Sequence, residues 1–342
     1  MIPEPLARPT VPATLPPFPN GWYALALSRE LRRGDVRPMT FAGREIVLFR
    51  TASGAAAALD AYCPHLGAHM GYGGRVCGES LRCPFHGFRF DAAGACTGTS
   101  YGGPVPPLAR AQAVVLEETH GLILAWHDGE GRSPGWQVPA LRTAGWSDWR
   151  IRNWTIRGHP QETTENSVDF GHFTQVHAYG AVEVLKEVEI DGPYLTGTYA
   201  MTRPPGRFSR PIRTEFDVHV HGLGYSQVDI RVPSYGVHAR LLVLATPIDG
   251  RRITLRLGLS LREDTEVRRI HPLLALAPRP LVNAVIARAT LSGAVHDVEQ
   301  DFVIWRHKRY VQPPILAQGD GPVGRYRRWA RQFYSADDAE TV

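Results

Sequence analysis

Cysteine is scarce in this chain: Cys63, Cys77, Cys83 and Cys96 are the only four among 342 residues. A secreted disulfide scaffold needs a denser set in a shorter chain, so a reducing compartment is expected. Apolar residues never run for 18 or more positions, and no membrane-spanning helix is expected. The nearest approach, residues 273–291, is interrupted by Pro278, Arg279 and Pro280. The N-terminus lacks the apolar core of a signal peptide. No Lys/Arg block is interleaved with aromatics and the net charge is only +5, so nucleic acid is not an expected partner. The expected location is cytoplasmic, peripheral to a membrane at most.

What is present is ordinary globular composition, 43% hydrophobic and 21% charged, in a chain long enough for two domains. Residues 1–20 hold seven prolines and read as an extended arm rather than a packed element. Residues 21–127 are strand-like: "REIVLFR" and "GLILAW" are apolar runs bounded by Gly, Asp and Arg, and "FRFDAAGACTG" resembles a hairpin. Residues 128–149, rich in Gly, Pro and polar side chains, read as a linker. Residues 150–342 mix strands such as "TEFDVHVHG", "RLLVLATPI" and "ITLRLGLSL" with helical stretches at 162–180 and beyond Pro280. The expected class is α+β: an all-β domain, then an antiparallel sheet with helices packed on one face.

Two short stretches carry chemistry inside the all-β part. "CPHLGA" offers Cys63 and His65; "CPFHGF" offers Cys83 and His86. Two Cys and two His suit tetrahedral zinc. Zinc fingers, however, commonly pair like with like, whereas each loop here is mixed. A [2Fe–2S] centre with two thiolates on one iron and two imidazoles on the other asks for mixed loops that face each other. Proline at 64 and 84 and glycine at 67 and 87 suit tight loops whose N–H groups approach cluster sulfurs. The cluster reading is favoured over zinc.

These loops resemble the Rieske loops of ring-hydroxylating and related oxygenases. Respiratory Rieske proteins carry two further cysteines there; this chain has Ala68 and Phe85, which implies the oxygenase or ferredoxin type. Cys77 and Cys96 are left as small, partly buried thiols without a ligand role.

A ferredoxin would stop near residue 110, and some two hundred residues follow. "ENSVDFGHFTQVH" supplies Asn166, Asp169, His172 and His177. Two His five positions apart diverge by about 140° on a straight helix, so they converge only if the helix bulges or ends between them. Gly180 is the expected stop. The stretch resembles the mononuclear-iron motif of Rieske oxygenases. That resemblance implies His172 and His177 as iron ligands and Asp169 as a carboxylate bridging to a cluster His of a neighbouring subunit. Asn166 and Asp169 are the candidate catalytic residues.

The third ligand is expected on a helix over 292–310, with Ser292 as its N-cap. Ala294, Val298, Phe302 and Trp305 share one face, and Asp301 lies about 60° from its centre, against about 100° for Asp297 and Glu299. A carboxylate at an apolar face is costly unless a cation holds it. Asp301 is therefore expected, with Asp297 as runner-up. "DFVIWRHK" is similar to the D-x-x-I-W-x-x-K segment of one branch of the family.

"FPNGWYALALS", "DAYCPHLGAHMGYGG", "CPFHGFRFDAAG" and "GRYRRWARQFY" are similar to the steroid-acting branch, 3-ketosteroid 9α-hydroxylase oxygenase components and cholesterol 7-desaturases. The resemblance implies a helix-grip-like catalytic domain and a Rieske cluster with mononuclear Fe(II). It implies an NAD(P)H-dependent reductase or ferredoxin as electron donor, O2 as co-substrate, a sterol or steroid substrate, and a homotrimer. Two alternatives stand: an oxygenase or demethylase on another apolar or aromatic molecule, and a pure electron carrier.

Overall fold

The structure is a computed structural model that describes residues 11–203, 211–270 and 276–339. Its contacts divide the chain into two compact units. One comprises Asn20–Arg142 with Thr246–Arg251; the other comprises the stretch before Asn20, Thr143–Ala245 and the chain from Arg252 onward. No helix among the described residues is long and apolar enough to cross a membrane.

The first unit is all-β. Strands Val36–Phe41, Arg44–Arg50, Ala56–Asp60 and Ala113–Val114 form one antiparallel sheet, and Gly21–Leu27, Leu116–Thr119 and Leu122–His127 form another. Val47, Phe49 and Leu59 of the first sheet form one fully buried core with Leu81 and Phe90. Four short strands between Arg75 and Gly98 make a third, small sheet, including the expected hairpin, Arg89–Phe90 against Cys96–Gly98. Residues 128–142, the front of the stretch expected as linker, pack on this unit. Trp136 explains why: its carbonyl accepts from Trp22 Nε1 at 2.8 Å, and its ring meets Trp126 edge-on at 5.8 Å.

The second unit is built on a seven-stranded antiparallel sheet. Its strands are β1 (Arg150–Arg157), β2 (Glu183–Asp191), β3 (Tyr194–Arg203), β4 (Ile212–His221), β5 (Tyr225–Val232), β6 (Val237–Pro247) and β7 (Arg252–Leu261). Their spatial order is β1-β7-β6-β5-β4-β3-β2. Two short helices, α1 (Pro160–Glu165) and α2 (Phe170–Gln175), follow β1. The 29-residue helix α3 (Arg279–His307) packs Trp305, Val298 and Phe302 against Ile253, Leu255 and Ile156 of the sheet. Fully burying a large apolar side chain is worth about 1.5–3 kcal/mol, so the buried Trp305, with the partly buried Val298 and Phe302, anchors the helix despite its weak amphipathic pattern. Helix α4 (Val323–Ala330) buries Tyr326 and Trp329.

Three expectations need correction. Ser292 is no cap: α3 starts thirteen residues earlier, with Pro280 in its first turn, where a missing N–H costs nothing. The prolines read as an interruption are the helix start. The N-terminal arm is not wholly unpacked either, since Val11–Ala13 pairs with Tyr310–Gln312; residues 1–10 lie outside the described residues. The helix expected over 162–180 is two helices, broken at 166–169.

Candidate cluster and metal sites

The two Cys/His loops are structural twins. In each, the cysteine N–H donates to the carbonyl five residues on (Ala68, 2.9 Å; Phe88, 2.8 Å), and the glycine four residues on donates back (Gly67, 2.9 Å; Gly87, 3.2 Å). Both glycines are left-handed, with φ of 73° and 70°, a conformation a Cβ disfavours. The repeated geometry buries Cys63 and Cys83 and leaves His65 and His86 half-buried. The imidazoles face each other at 4.8 Å between centroids, and His65 stacks on Phe88 at 4.3 Å.

Burial, with the Cys83 thiol beside it, pushes the Cys63 thiol up to about 11, against the opposing pull of the His65 backbone N–H. A thiol pushed up in this way needs a strong positive partner to ionise, and an iron pair would supply that charge. The donor set and its loop N–H groups therefore fit a [2Fe–2S] centre. Cys96 gives its thiol to the Gly98 carbonyl at 3.5 Å and packs against the core.

The second site is assembled from α2, the turn after it and α3. Asp169 caps α2, accepting from the His172 N–H at 3.1 Å. The helix stops at Gln175, and Ala178 turns the chain with φ of 54°. The stop therefore comes earlier than Gly180, whose N–H instead pairs with the Thr202 carbonyl at 2.7 Å. Ending the helix between the two histidines removes their 140° divergence, and their rings stand 4.4 Å apart at 77°.

Across from them is Asp301, only 4% exposed. His172 Nε2 lies 2.7 Å and His177 Nε2 3.6 Å from Asp301 Oδ1. One donor atom from each of His172, His177 and Asp301 lies within 4.8 Å of the others, close enough to hold one metal ion. Two imidazoles and a carboxylate suit Fe(II) with open positions. His172 Nδ1 is buried and has no hydrogen-bond partner within the chain. Asp297 is held elsewhere: Arg203 Nη2 lies 2.6 Å from both its oxygens, and the Tyr179 hydroxyl donates to it at 3.1 Å.

Two neighbours support these three residues: Asn166, which the sequence already offered as a candidate, and Gln300, which it did not. Gln300 Oε1 accepts from His177 Nδ1 at 2.9 Å, which turns Nε2 toward Asp301. Asn166 Nδ2 donates to Asp301 Oδ2 at 3.1 Å and lies 3.4 Å from His172 Nε2. Gln300 sits beside Asp301 in sequence, but nothing in the pattern distinguishes it from any polar residue on a helix. Burial raises the Asp169 carboxyl above the usual carboxylate range, against the lowering N–H of His172. Burial, then the Asp297 charge, pushes the Tyr179 hydroxyl well up, so it stays a donor.

A cavity of about 680 Å³ adjoins this site. Its lining includes His172, His177 and Asp301, and its walls are mainly apolar side chains such as Phe216, Val228, Leu241 and Ile286. That size is within the range of small-molecule sites.

Comparison with known proteins agrees with this anatomy. Residues 21–109 match the Rieske [2Fe–2S] domain, and residues 125–334 match the 3-ketosteroid 9α-hydroxylase C-terminal domain. Cholesterol 7-desaturase of Bombyx mori is 32% identical, over 94% of this chain and 70% of its own. A 3-ketosteroid-9-alpha-monooxygenase oxygenase component of Rhodococcus rhodochrous is 30% identical, over 93% of this chain and 83% of its own. Among solved structures, dicamba monooxygenase bound to dicamba superposes with a TM-score of 0.64 at 21% identity, covering 92% of this chain and 96% of that one. NdmA of Pseudomonas putida CBB5 with caffeine gives 0.70 at 16%, covering 91% and 89%. With its twin-loop domain and its sheet-and-helix domain both matched, the chain belongs to the Rieske oxygenases with a 3-ketosteroid 9α-hydroxylase C-terminal domain, and it is an oxygenase carrying a Rieske [2Fe–2S] centre.

Proposed function

We propose that this oxygenase desaturates or hydroxylates an unactivated C–H position of a sterol or steroid. The observation that carries the reading is the 680 Å³ cavity, apolar along its walls, with His172, His177 and Asp301 in its lining. A rigid, apolar, multi-ring molecule matches such walls, and the relatives named for cholesterol and 3-ketosteroid chemistry match over nearly the whole chain.

His172, His177 and Asp301 are the residues that would hold Fe(II). When bound, such a centre offers open positions for O2 and the means to oxidise a C–H bond. The chain's own side chains do the rest. Asn166 holds Oδ2 of Asp301, which leaves Oδ1 toward the imidazoles. Gln300 sets the His177 tautomer. The apolar walls keep water from the reacting carbon and hold it against the site.

Asp169 is the proposed electron contact to a cluster histidine of a neighbouring subunit, in a head-to-tail homotrimer. The half-buried His65 and His86, and Asp169 held against the His172 N–H, support this arrangement. The electrons would come from an NAD(P)H-dependent reductase, directly or through a ferredoxin. Of the basic tail residues Arg325, Arg327, Arg328 and Arg331, Arg327 is buried against Glu165, and the exposed other three would suit an acidic donor.

Turnover of cholesterol and of a 3-ketosteroid with a surrogate reductase, read by mass spectrometry, tests the substrate class. An oxidised product from either, with three irons per chain, is the expected result. Two irons per chain and no oxidised sterol or steroid would sink the proposal.

A further inference from the structure

We propose that Arg203, Asp297 and Tyr179 form a brace that positions the His177 imidazole. On this reading Asp297, one helical turn before Asp301, is a positioning residue and not a ligand. The brace rests on the reading that His172, His177 and Asp301 hold a metal ion.

Three elements meet in it. Arg203 ends β3, Asp297 lies on α3, and Tyr179 follows the turn after α2. A single guanidinium nitrogen, Nη2, reaches both carboxylate oxygens at 2.6 Å. The Tyr179 hydroxyl donates to the same carboxylate at 3.1 Å, and the guanidinium carbon lies 4.7 Å from the centre of the Tyr179 ring. Each member therefore touches the other two. Arg203 is 39% exposed and Asp297 17%, so the ion pair alone would hold little. Its weight comes from the tyrosine, which is half-buried and ties the pair to the turn.

That turn needs holding. Ala178, between His177 and Tyr179, is left-handed with φ of 54°, and a Cβ makes that conformation unfavourable. On one side the Tyr179 N–H donates to the Phe173 carbonyl at 3.1 Å. On the other the brace fixes the Tyr179 ring, which meets His177 edge-on at 6.5 Å and Phe216 at 6.1 Å. Gln300 and the brace thus do different work. Gln300 decides which nitrogen of His177 points at Asp301; the brace decides where the ring stands. Releasing Tyr179 lets the strained turn relax and carries His177 Nε2 away from its 3.6 Å approach to Asp301 Oδ1.

The test uses the full chain with its cluster in place and Co(II) alone as probe at the emptied metal site. The oxidised cluster is silent in electron paramagnetic resonance, so the high-spin Co(II) signal reads the site directly. Retention of Co(II) against a chelator is measured for Asp297→Ala, Asp297→Asn and Tyr179→Phe, with the thermal midpoint of each metal-free form. Outer partners of metal ligands typically change affinity by about 10–100-fold, and Asp297→Ala should fall there with a broadened Co(II) signal. Asp297→Asn, which still accepts from Tyr179, should recover part of that loss. Tyr179→Phe keeps the ring and should lose less, with its thermal midpoint unchanged.

Tyr179→Phe decides the matter if Asp297→Ala does not fold. Retention equal to wild type in both Tyr179→Phe and either Asp297 variant overturns the brace. So does complete loss in Asp297→Ala with tight retention in Asp301→Ala, because Asp297 would then be the ligand. A thermal midpoint that falls in step with affinity in every variant overturns it as well. Wild-type protein that holds no Co(II) sinks the metal reading itself, a result distinct from the others.

Discussion

The four proposed cluster donors fall between Cys63 and His86, on two loops that repeat the same hydrogen bonds, whereas His172 meets an Asp301 that is 129 residues away. The first site is made by local turns. Each loop is closed by its own backbone, and only the pairing of two adjacent hairpin tips is tertiary. The second has no local logic: a helix must end early, an alanine must turn left-handed, and a 29-residue helix must present the right turn. Local construction tolerates change elsewhere in the chain. Distributed construction depends on every element that supports it, and this is why the second site carries the partners Asn166, Gln300, Tyr179 and Arg203.

The largest expected effect separates the two sites outright. Asp301→Ala should lower turnover by at least about a hundredfold, because a lost metal ligand removes the transition-state chemistry and not merely binding. Its cluster spectrum should survive. Cys83→Ser should remove the cluster's absorbance and paramagnetic signal while leaving Co(II) binding at the second site. If either variant loses both centres, the sites are not independently built.

Asp169→Asn comes next. It keeps the helix cap, since asparagine also accepts from an N–H, but loses the carboxylate. Cluster reduction should be normal and reoxidation with substrate and O2 should slow by about 10–100-fold, in line with other outer partners of metal ligands. Stopped-flow reoxidation at the wild-type rate would remove Asp169 from the electron route.

Acid should weaken the second unit through His159, the buried N-cap of α1. Its buried Nε2–H donates to the Pro16 carbonyl at 2.9 Å and its Nδ1 accepts from the Gln161 N–H at 3.1 Å, so a second proton has no acceptor. Burial pushes it down to about 4. Between the ordinary value near 6.5 and about 4, the unfolded chain binds the proton and the folded chain does not. Stability therefore falls as pH falls through that window, by about 2 kcal/mol at pH 5. Urea unfolding at pH 7.5 and 5.0 should show that loss in wild type and a smaller one in His159→Asn. Equal pH slopes would contradict it.

The smallest effect sharpens the twin-loop comparison. Gly67→Ala meets no atom within 4 Å and should cost only the left-handed backbone, about 1–2 kcal/mol. Gly87→Ala adds a contact at 3.0 Å with Ser100 and at 3.2 Å with Arg82, and should cost more. Thermal midpoints of the two variants in the cluster-bound chain give the order; a larger drop for Gly67→Ala would reverse it.

How much of this was readable in advance follows the same division. Cys63, His65, Cys83 and His86 were legible because short loops with fixed spacing leave a trace in consecutive residues. That Asp301 and not Asp297 stands beside the histidines was legible through its place near the apolar stripe of Val298, Phe302 and Trp305, the stripe that does pack on the sheet. The start of that helix was not. Proline reads as a breaker in composition, and only the helix's position shows that Pro280 sits where no hydrogen bond is missing. The end of α2 was misplaced for a related reason. Glycine is the usual left-handed stop, and nothing in the sequence marks Ala178, which adopts that conformation because tertiary contacts hold its neighbours.

The sequence by itself determined the two mixed Cys/His loops, the alternation that makes the sheet and the residue types able to hold a second metal. Only the tertiary structure decided which aspartate faces the histidines and which is tied up by Arg203 and Tyr179. It alone showed that an apolar cavity adjoins them. Side chains four residues apart on one helix are near equals in sequence. Their surroundings, set by strands and turns about a hundred residues away, give one a site and the other a support.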